Sequence, residues 1–344
     1  MRRALHKLGF VQADPIRAPA RAQDLTLRQR ARNYRAGDLE RRYSMLEIEE
    51  DVFINYGFVT RPLQALMHPR AGAEPWPAAR RRRVQELLEF VRQRGTVHPR
   101  DVDRHFSHGT VTNYWGGSSS ATTHLLDLMH YRGLLRITRR EAGIRIYAAH
   151  EHAAGPADTA ARHIQIDALV DAVVRTYAPL PAASLSPLVS RLRYAVPQWR
   201  DELRSALKRA TERLSHARVE GLDWYWPADE RLPKLPPGEE DEKVRLLAPF
   251  DPVVWDRRRF TIFWGWDYRF EAYTPAHKRK LGYYALPLLW RDQVIGWANV
   301  SVKNGQLVSE FGYVASRPPR ERAFARELEA ELDRMKAFLG LELT

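Results

Sequence analysis

The chain has 344 residues, enough for two or three domains that each bury a core of their own. It contains 55 Lys and Arg against 42 Asp and Glu, which gives a formal charge of +13 and favours a polyanionic partner such as nucleic acid. The absence of Cys excludes thiol catalysis, thiolate metal sites and disulfides. No stretch has the apolar length of a signal peptide or a membrane span, so we expect a cytoplasmic, nucleoid-associated protein with no membrane partner.

Gln12 and Asp14 lie two residues apart in the apolar segment from Leu8 to Ile16. If this segment is extended, both side chains project from one face. A carboxylate beside a carboxamide can hold a water between an acceptor and a donor, and its charge can stabilise a cationic reaction centre. The spacing by itself is more often an ordinary turn at Asp14-Pro15 with Gln12 on the surface, so catalysis is a hypothesis at this point.

Residues 1–75 form the first predicted domain, a winged-helix-like unit with helices near 24–34 and 45–54. Only eleven residues precede Gln12, too few for a long first helix, so we expect this domain to be shortened at its N-terminus. The domain ends in a Pro-rich linker at 68–77.

The second predicted domain, 76–154, has the clearest pattern. A helix is predicted over 80–94, where Val84, Leu87, Leu88 and Val91 recur at helical spacing before Gly95. Further helices are predicted over 99–106 and 118–132, followed by two strands within 134–149. Three helices and a hairpin are typical of a winged helix.

The third predicted domain, 155–231, repeats this order with helices over 159–177, 184–194 and 198–214. A hairpin turning at Glu220-Gly221 follows them. Tandem winged helices in a monomeric α+β protein are therefore expected.

A Pro-rich and acidic segment, 232–242, introduces a predicted β-rich C-terminal domain over 232–344. Alternation predicts a strand over 261–273, and Asn304-Gly305 predicts a hairpin that joins 294–303 to 306–314. A terminal helix follows Pro318-Pro319 and is expected to cover one side of the sheet. Its apolar stripe is Phe324, Leu328, Leu332, Met335 and Leu339.

Four segments, Val11–Ile16, Pro249–Arg259, Tyr268–Arg279 and Gly282–Leu289, resemble the interstrand-crosslink DNA glycosylase family, the YcaQ/AlkZ-like winged-helix proteins. The resemblance implies a basic concave surface for duplex DNA with a β-rich C-terminal domain attached. That family excises bulky or crosslinking alkylpurines through a Gln-apolar-Gln or Gln-apolar-Asp motif, and this chain is similar to the second type at Gln12 and Asp14. Residues 54–58 and 296–301 depart from the family's usual strings, which predicts either a different substrate scope or a loss of activity.

The resemblance also implies roles for the two motif residues. Asp14 would stabilise an oxocarbenium-like sugar and direct water to it, with Gln12 orienting that water. A base tied to the opposite strand cannot swing fully out of the helix, so we expect an open site. Lys7 is more simply a phosphate contact than a nucleophile. The prediction is a monofunctional glycosylase that needs no cofactor and acts on double-stranded DNA with alkylated purines.

Several groups admit both a structural and a functional interpretation. Basic residues are either solvated faces or phosphate contacts, and hydroxyls at the start of the helix over 118–132 either cap it or bind phosphate. The Tyr114-Trp115 pair either packs in a core or stacks on bases, while Trp255 and Asp256 are expected to hold a hairpin. The DNA-binding candidates are Arg80, Arg81, Arg82, Arg83, Ser118, Ser119, Arg139, Arg140, Arg257, Arg258 and Arg259.

A metal site and a purely regulatory role are two further possibilities for this sequence. His98, His105 and His108, with Asp101 and Asp103, lack the spacing that places metal ligands on one helical face, so no metal site is predicted. A non-catalytic winged-helix transcriptional regulator would explain the charge and the repeats. It would leave the Gln12 and Asp14 spacing and the large C-terminal domain without a role.

Overall fold

The computed structural model describes residues 1–71, 75–107, 109–112, 117–231 and 241–342. It contains two compact units, each built from segments distant in sequence. Residues 1–39, 174–185 and 213–344 form the first unit, and residues 40–173 and 186–212 form the second. The division into four domains at 75, 154 and 231 stays a prediction.

Helices and strands alternate along the described residues. The helices are α1 (Arg2–Leu8), α2 (Ala22–Arg28), α3 (Asp38–Arg41), α4 (Arg61–Ala65), α5 (Ala78–Arg94), α6 (Pro99–Phe106), α7 (Ala121–Tyr131), α8 (Thr159–Tyr177), α9 (Ala182–Ser190), α10 (Leu203–Arg213), α11 (Pro252–Trp255), α12 (Arg257–Trp264) and α13 (Arg322–Leu339). The strands are β1 (Phe10–Gln12), β2 (Ile48–Val52), β3 (Tyr56–Thr60), β4 (Thr110–Thr112), β5 (Ser118–Ser120), β6 (Leu135–Glu141), β7 (Ile144–Ala149), β8 (Leu180–Pro181), β9 (Ser215–Val219), β10 (Leu222–Trp226), β11 (Val244–Leu246), β12 (Leu286–Trp290), β13 (Gln293–Lys303) and β14 (Gln306–Tyr313). Short 3₁₀ turns occur at Tyr43–Met45, Arg191–Tyr194, Pro197–Glu202 and Ala276–Lys278.

The helices α5, α6 and α7 share one core with the hairpin β6–β7, as the pattern at 80–149 predicted. Leu87 and Val91 of α5, Val102 of α6, Leu126 of α7 and Tyr147 of β7 all belong to this buried cluster. Each helix contributes its apolar stripe, so the helices and the hairpin stabilise one another through shared burial.

The prediction for the third helix of this region was partly wrong. Ser118 to Ser120 form the strand β5, which pairs with β4, and α7 begins only at Ala121. Ser120 is its N-cap, with the Oγ accepting from the Thr123 N–H at 3.3 Å. The capping interpretation of the serine run is therefore confirmed for Ser120.

The following region also matches its pattern. The helix α8 covers the predicted 159–177, and the hairpin β9–β10 turns at Glu220 and Gly221, which have φ of +50° and +78°. The strand β8 pairs antiparallel with β10 on its other edge. Two predicted helices are shorter than expected, because 3₁₀ turns replace 191–194 and 197–202.

The first predicted domain contains a clear error. Residues 45–54, predicted as a helix, form β2 and part of its hairpin with β3. Glu49, Glu50 and Asp51 are nearly inaccessible in this strand. Glu49 pairs with Arg136 and Glu50 pairs with Arg140, and both of these partners lie far along the chain. These tertiary ion pairs offset the free-energy cost of burying the carboxylates. The predicted helix at 24–34 is shortened to α2.

The C-terminal sheet has the order β11-β12-β13-β14, all antiparallel. The hairpin predicted at Asn304-Gly305 is confirmed, with both residues at positive φ. The helix α13 packs against the sheet, where the Phe324 ring lies 5.2 Å from that of Trp290. The predicted role of the terminal helix is thereby confirmed.

The strand predicted over 261–273 is wrong, because residues 257–264 form α12. The Asp256 carboxylate accepts from the N–H groups of Arg258 and Arg259, and Gly265 ends the helix at φ +71°. These caps outweigh the aromatic alternation. Trp255 and Asp256 accordingly join two helices and hold no hairpin.

Some predictions fall outside the described residues. They concern His108, the Tyr114-Trp115 pair, the side chain of Ser119 and most of the segment 232–242. Among the residues that are described, no helix has the length and apolar character needed to cross a membrane.

Candidate active site

The Gln12 and Asp14 side chains stand at the end of β1 in the first compact unit. The helix α1 stops at Gly9, whose φ of +67° turns the chain into β1. Phe10 and Val11 are buried, and the Thr176 hydroxyl donates to the Leu8 carbonyl at 2.8 Å. The backbone that carries the motif is therefore fixed on both sides by burial and hydrogen bonding.

Asp14 is a buried carboxylate, with 8% of its surface exposed. Its Oδ1 accepts from the Ile16 N–H at 2.8 Å, and its own N–H donates to the Gln23 Oε1 at 3.3 Å. Burial raises the pKa of Asp14 above its usual value, and the Ile16 N–H offsets part of that rise. No described residue donates a hydrogen bond to Oδ2, which leaves this oxygen as an acceptor for a water or a substrate.

Gln12 is oriented by Trp255. The indole Nε1 donates to the Gln12 Oε1 at 2.8 Å, and the indole ring lies 5.2 Å from the Tyr177 ring. An indole N–H can only donate, so the carboxamide oxygen must face it. The Gln12 amide nitrogen, which is a donor, therefore points away from the Trp255 indole.

The short helix α11 holds Trp255 in place. Its N-cap is Asp251, fully buried, which accepts from the Val253 N–H at 3.0 Å and binds Arg30 through both oxygens at 2.6 and 2.8 Å. The buried guanidinium of Arg259 donates to the Val253 carbonyl in α11 and to the Tyr177 carbonyl at the end of α8. Charged hydrogen bonds thus fix the helix that positions Gln12.

Two tyrosines, Tyr273 and Tyr284, lie near enough to Asp14 to be affected by its charge. Desolvation and the Asp14 charge together raise the pKa of Tyr273 and of Tyr284. Tyr273 is 74% exposed and Tyr283 is 44% exposed, whereas the Tyr284 hydroxyl is buried without a hydrogen-bond partner among the described residues. Phe270 contacts the Tyr273 and Tyr284 rings at 6.0 and 5.2 Å between centroids.

Asn299 supports the backbone of this aromatic cluster. Its Oδ1 accepts from the Tyr284 N–H at 3.3 Å, and its Nδ2 donates to the Leu281 carbonyl at 2.7 Å. Gly282 lies against the Asn299 side chain with φ +110°, where a Cβ would meet Asn299 atoms at 2.3 Å. A glycine is therefore required at this position.

Comparison with known protein families decides the identity of the chain. The family model described as DNA glycosylase AlkZ-like matches residues 5–338. The chain belongs to this family. Membership implies a DNA glycosylase, an N-glycosyl hydrolase whose substrate is DNA. No solved structure matches the chain.

The DNA-binding candidates of this AlkZ-like protein fall into two groups. Arg80 to Arg83 lie exposed in the first turns of α5, and Ser118, Arg139 and Arg258 are exposed as well. Arg140 instead binds buried Glu50 through both carboxylate oxygens. Arg257 and Arg259 bond backbone carbonyls, and Arg257 lies over the Tyr268 ring at 4.3 Å.

Within the described ranges, His, Asp and Glu side chains form no group of three suited to a metal ion. His98 caps α6, where its Nδ1 accepts from the Arg100 N–H, and the Asp103 carboxylate accepts from the Thr122 hydroxyl.

The sequence interpretation missed the contribution of Trp255 and of the tyrosines. All of them lie within the segments that carry the family resemblance, and that was the available signal. Their roles depend on contacts across more than 200 positions, as for Trp255 and Gln12 at a separation of 243. Local patterns do not report such contacts.

Proposed function

We propose that this protein is a monofunctional DNA glycosylase that hydrolyses the N-glycosidic bond of alkylated purines, including bulky N7 adducts and interstrand crosslinks. Gln12 and Asp14 are its catalytic residues in this proposal. The observation that carries it is the orientation of the Gln12 carboxamide by Trp255, two residues before the buried Asp14 carboxylate. This arrangement supplies an amide donor and a carboxylate acceptor from one short segment.

The chemistry follows from the charge of the lesion. Alkylation at purine N7 or N3 makes the base cationic, so the base leaves as a neutral molecule when the C1′–N bond breaks. The sugar that remains has oxocarbenium character, which the ionised Asp14 stabilises. A water donates a proton towards the free Asp14 Oδ2 and accepts from the Gln12 amide nitrogen. Its oxygen then bonds to C1′, and an abasic site results.

Tyr273 and Tyr283 support a substrate with a bulky, planar lesion. Their exposed rings lie in the aromatic cluster near Asp14, where they can stack on a purine or on its adduct. Arg279 lies over the Tyr283 ring at 5.0 Å, which adds positive charge to this surface. Exposed rings suit a crosslinked base better than an enclosed pocket does, because that base stays tied to the opposite strand.

Duplex DNA is bound through winged helices and basic side chains in this proposal. The shared core of α5, α6, α7 and the hairpin β6–β7 supports a winged helix at 78–149. Phosphate contacts are assigned to the exposed candidates, above all the string Arg80 to Arg83. Arg140, Arg257 and Arg259 are left out, because their guanidinium groups already bond acceptors within the protein.

The test is abasic-site formation on DNA carrying a nitrogen-mustard adduct at guanine N7, measured under single-turnover conditions. The parent protein should release the base, and Asp14→Asn should lower the rate by roughly 10² to 10⁴-fold, because the amide keeps the shape and loses the charge. Asp333→Asn, at an exposed carboxylate on α13, is the matched control and should retain the parent rate.

Two outcomes would contradict the proposal. An Asp14→Asn rate within about threefold of the parent would place the catalytic residue elsewhere. Absence of base release from alkylated DNA, together with strong preference for one undamaged sequence, would favour the transcriptional regulator.

A further inference from the structure

A cavity lies in the first compact unit, and neither Gln12 nor Asp14 is among its lining residues. Its volume is about 710 Å³, within the range of roughly 300 to 1,000 Å³ that is usual for small-molecule sites. The residues that give it its chemical character are Arg3, Lys7, Arg32, Arg175, Phe263 and Trp264, and we refer to it as the cationic cavity.

Positive charge in the cationic cavity is incompletely neutralised. Arg3 and Lys7 lie one helical turn apart on α1, and neither they nor Arg32 has an ion-pair or hydrogen-bond partner among the described residues. Arg175 forms an exposed ion pair with Asp229. No acidic side chain is among the lining residues that the structure describes. Three unpaired cations around one concavity favour an anionic ligand.

An aromatic wall forms another side of the cationic cavity. Phe263 is 43% exposed, and its ring stacks on that of Trp224 at 5.1 Å with an interplanar angle of 8°. The Trp264 ring contacts it edge-on at 5.8 Å, and the Trp264 Nε1 donates to the Asp292 carbonyl. A rigid, partly exposed ring at the end of a stack is a suitable surface for a planar base.

We propose that the cationic cavity binds a nucleotide unit, with the phosphate on Arg3, Lys7 and Arg32 and the base against Phe263. The combination of unpaired cations and a stacked aromatic ring matches both halves of this ligand. The unit comes either from a free nucleotide or from a strand of DNA. Pro252 and Val253 also line the cavity, so the ligand would lie against α11, the helix that ends at Trp255.

Equilibrium binding to the full chain tests the proposal with three probes. They are 2′-deoxyadenosine 5′-monophosphate, a single-stranded pentanucleotide and inorganic phosphate, measured by calorimetry at low salt. The mononucleotide or the pentanucleotide should bind at least about tenfold more tightly than phosphate, because stacking on an aromatic side chain contributes roughly 1 to 3 kcal/mol per base. Binding of the mononucleotide identifies a free nucleotide as the source, and binding of the pentanucleotide alone identifies a DNA strand.

Variants locate the binding. Lys7→Glu with Arg32→Glu should lower the affinity for the nucleotide probe at least about tenfold, because two favourable charge contacts become unfavourable. In Phe263→Leu, the nucleotide probe should bind no more tightly than inorganic phosphate, because the stacking surface for the base is lost. Arg317→Glu with Arg320→Glu makes the same charge change on two exposed side chains just before α13, and it is the control for net charge.

The proposal is wrong if phosphate binds as tightly as both nucleotide probes, or if the cavity variant and the Arg317 and Arg320 control weaken binding equally. Thermal unfolding of each variant checks that the fold is retained, which is expected because Lys7 and Arg32 are exposed. Base release from alkylated DNA is a separate measurement, so failure here leaves the proposed function untouched.

Discussion

The indole of Trp255 donates a 2.8 Å hydrogen bond to the carboxamide oxygen of Gln12, from a position 243 residues further along the chain. This contact joins the segment that carries Gln12 and Asp14 to the Pro249–Arg259 segment. Because Trp255 is in turn fixed by α11 and by Tyr177, the orientation of Gln12 is set before any substrate is bound. Such preorganisation is the feature that a hydrolytic site requires.

Replacement of Trp255 by Phe tests this relationship. The variant keeps a ring against Tyr177 and loses the donor to Gln12, so we expect a five- to tenfold lower single-turnover rate with little change in DNA affinity, since a neutral hydrogen bond contributes about 1 kcal/mol. Gln12→Ala should lower the rate at least as much, and the double variant should be no slower than Gln12→Ala alone. In Trp266→Phe, another indole donor is lost at the Val294 carbonyl, and the rate should stay near that of the parent.

The raised pKa of Asp14 predicts a conflict between stability and activity. A carboxyl whose pKa is higher in the folded than in the unfolded state contributes stability below its unfolded pKa, and that stability is lost as the pH rises through the folded pKa. Asp14→Asn should therefore have a higher free energy of unfolding than the parent at pH 7. The difference should shrink towards pH 4.

Chemical denaturation of both proteins at the two pH values measures this effect. The excision rate of the parent should fall as the pH is lowered through the raised pKa, because the proposed mechanism requires the ionised carboxylate. An Asp14→Asn protein that is less stable than the parent at pH 7 would show that the carboxylate stabilises the fold, contrary to the expectation.

DNA binding should be mainly electrostatic. The logarithm of the binding constant should fall linearly with the logarithm of salt concentration, with a slope of about −0.9 for each phosphate neutralised. Undamaged duplex should bind too. Arg81→Ala with Arg82→Ala should reduce the magnitude of the slope by roughly 1 to 2 and weaken all duplex sequences alike. Affinity independent of salt would contradict this account.

Arg140→Ala is the informative contrast to the α5 variants. Arg140 counters the burial of Glu50 and helps to hold the pKa of that carboxyl below its usual value. Its loss leaves a buried charge without its main partner, so it should lower the free energy of unfolding by about 3 kcal/mol or more. Replacing the exposed residues Arg81 or Arg82 by Ala should lower the free energy of unfolding by less than about 0.5 kcal/mol each.

The reaction product should be an abasic site in an intact strand, cleaved only by added alkali. Water is the proposed nucleophile, so borohydride added during turnover should trap no covalent protein–DNA species. A trapped band that disappears in Lys7→Ala would identify an amine nucleophile and overturn the water mechanism, while the assignment as a glycosylase would stand.

Several helices and hairpins could be predicted from short-range signals in the sequence. The helices α5, α6 and α8 have boundaries close to those predicted, because apolar periodicity, Pro99 and Gly95 act within a few residues. The hairpins at Gly221 and Gly305 were predicted for the same reason, since their turns require positive φ. The motif strings, Gln12 and Asp14 among them, were sufficient to indicate the family.

Contacts between distant parts of the chain set which polar groups are buried and what they bind. Residues 48–52 form a strand in which Arg136 and Arg140 pair with the buried Glu49 and Glu50. Residues 261–264 are helical because Asp256 caps α12. Arg259 was predicted to contact DNA, yet its guanidinium is buried among backbone carbonyls. The partners of such groups are distant in sequence, and burial makes each pairing obligatory, so the roles of Trp255, Arg140 and Arg259 follow from the fold and not from any local pattern.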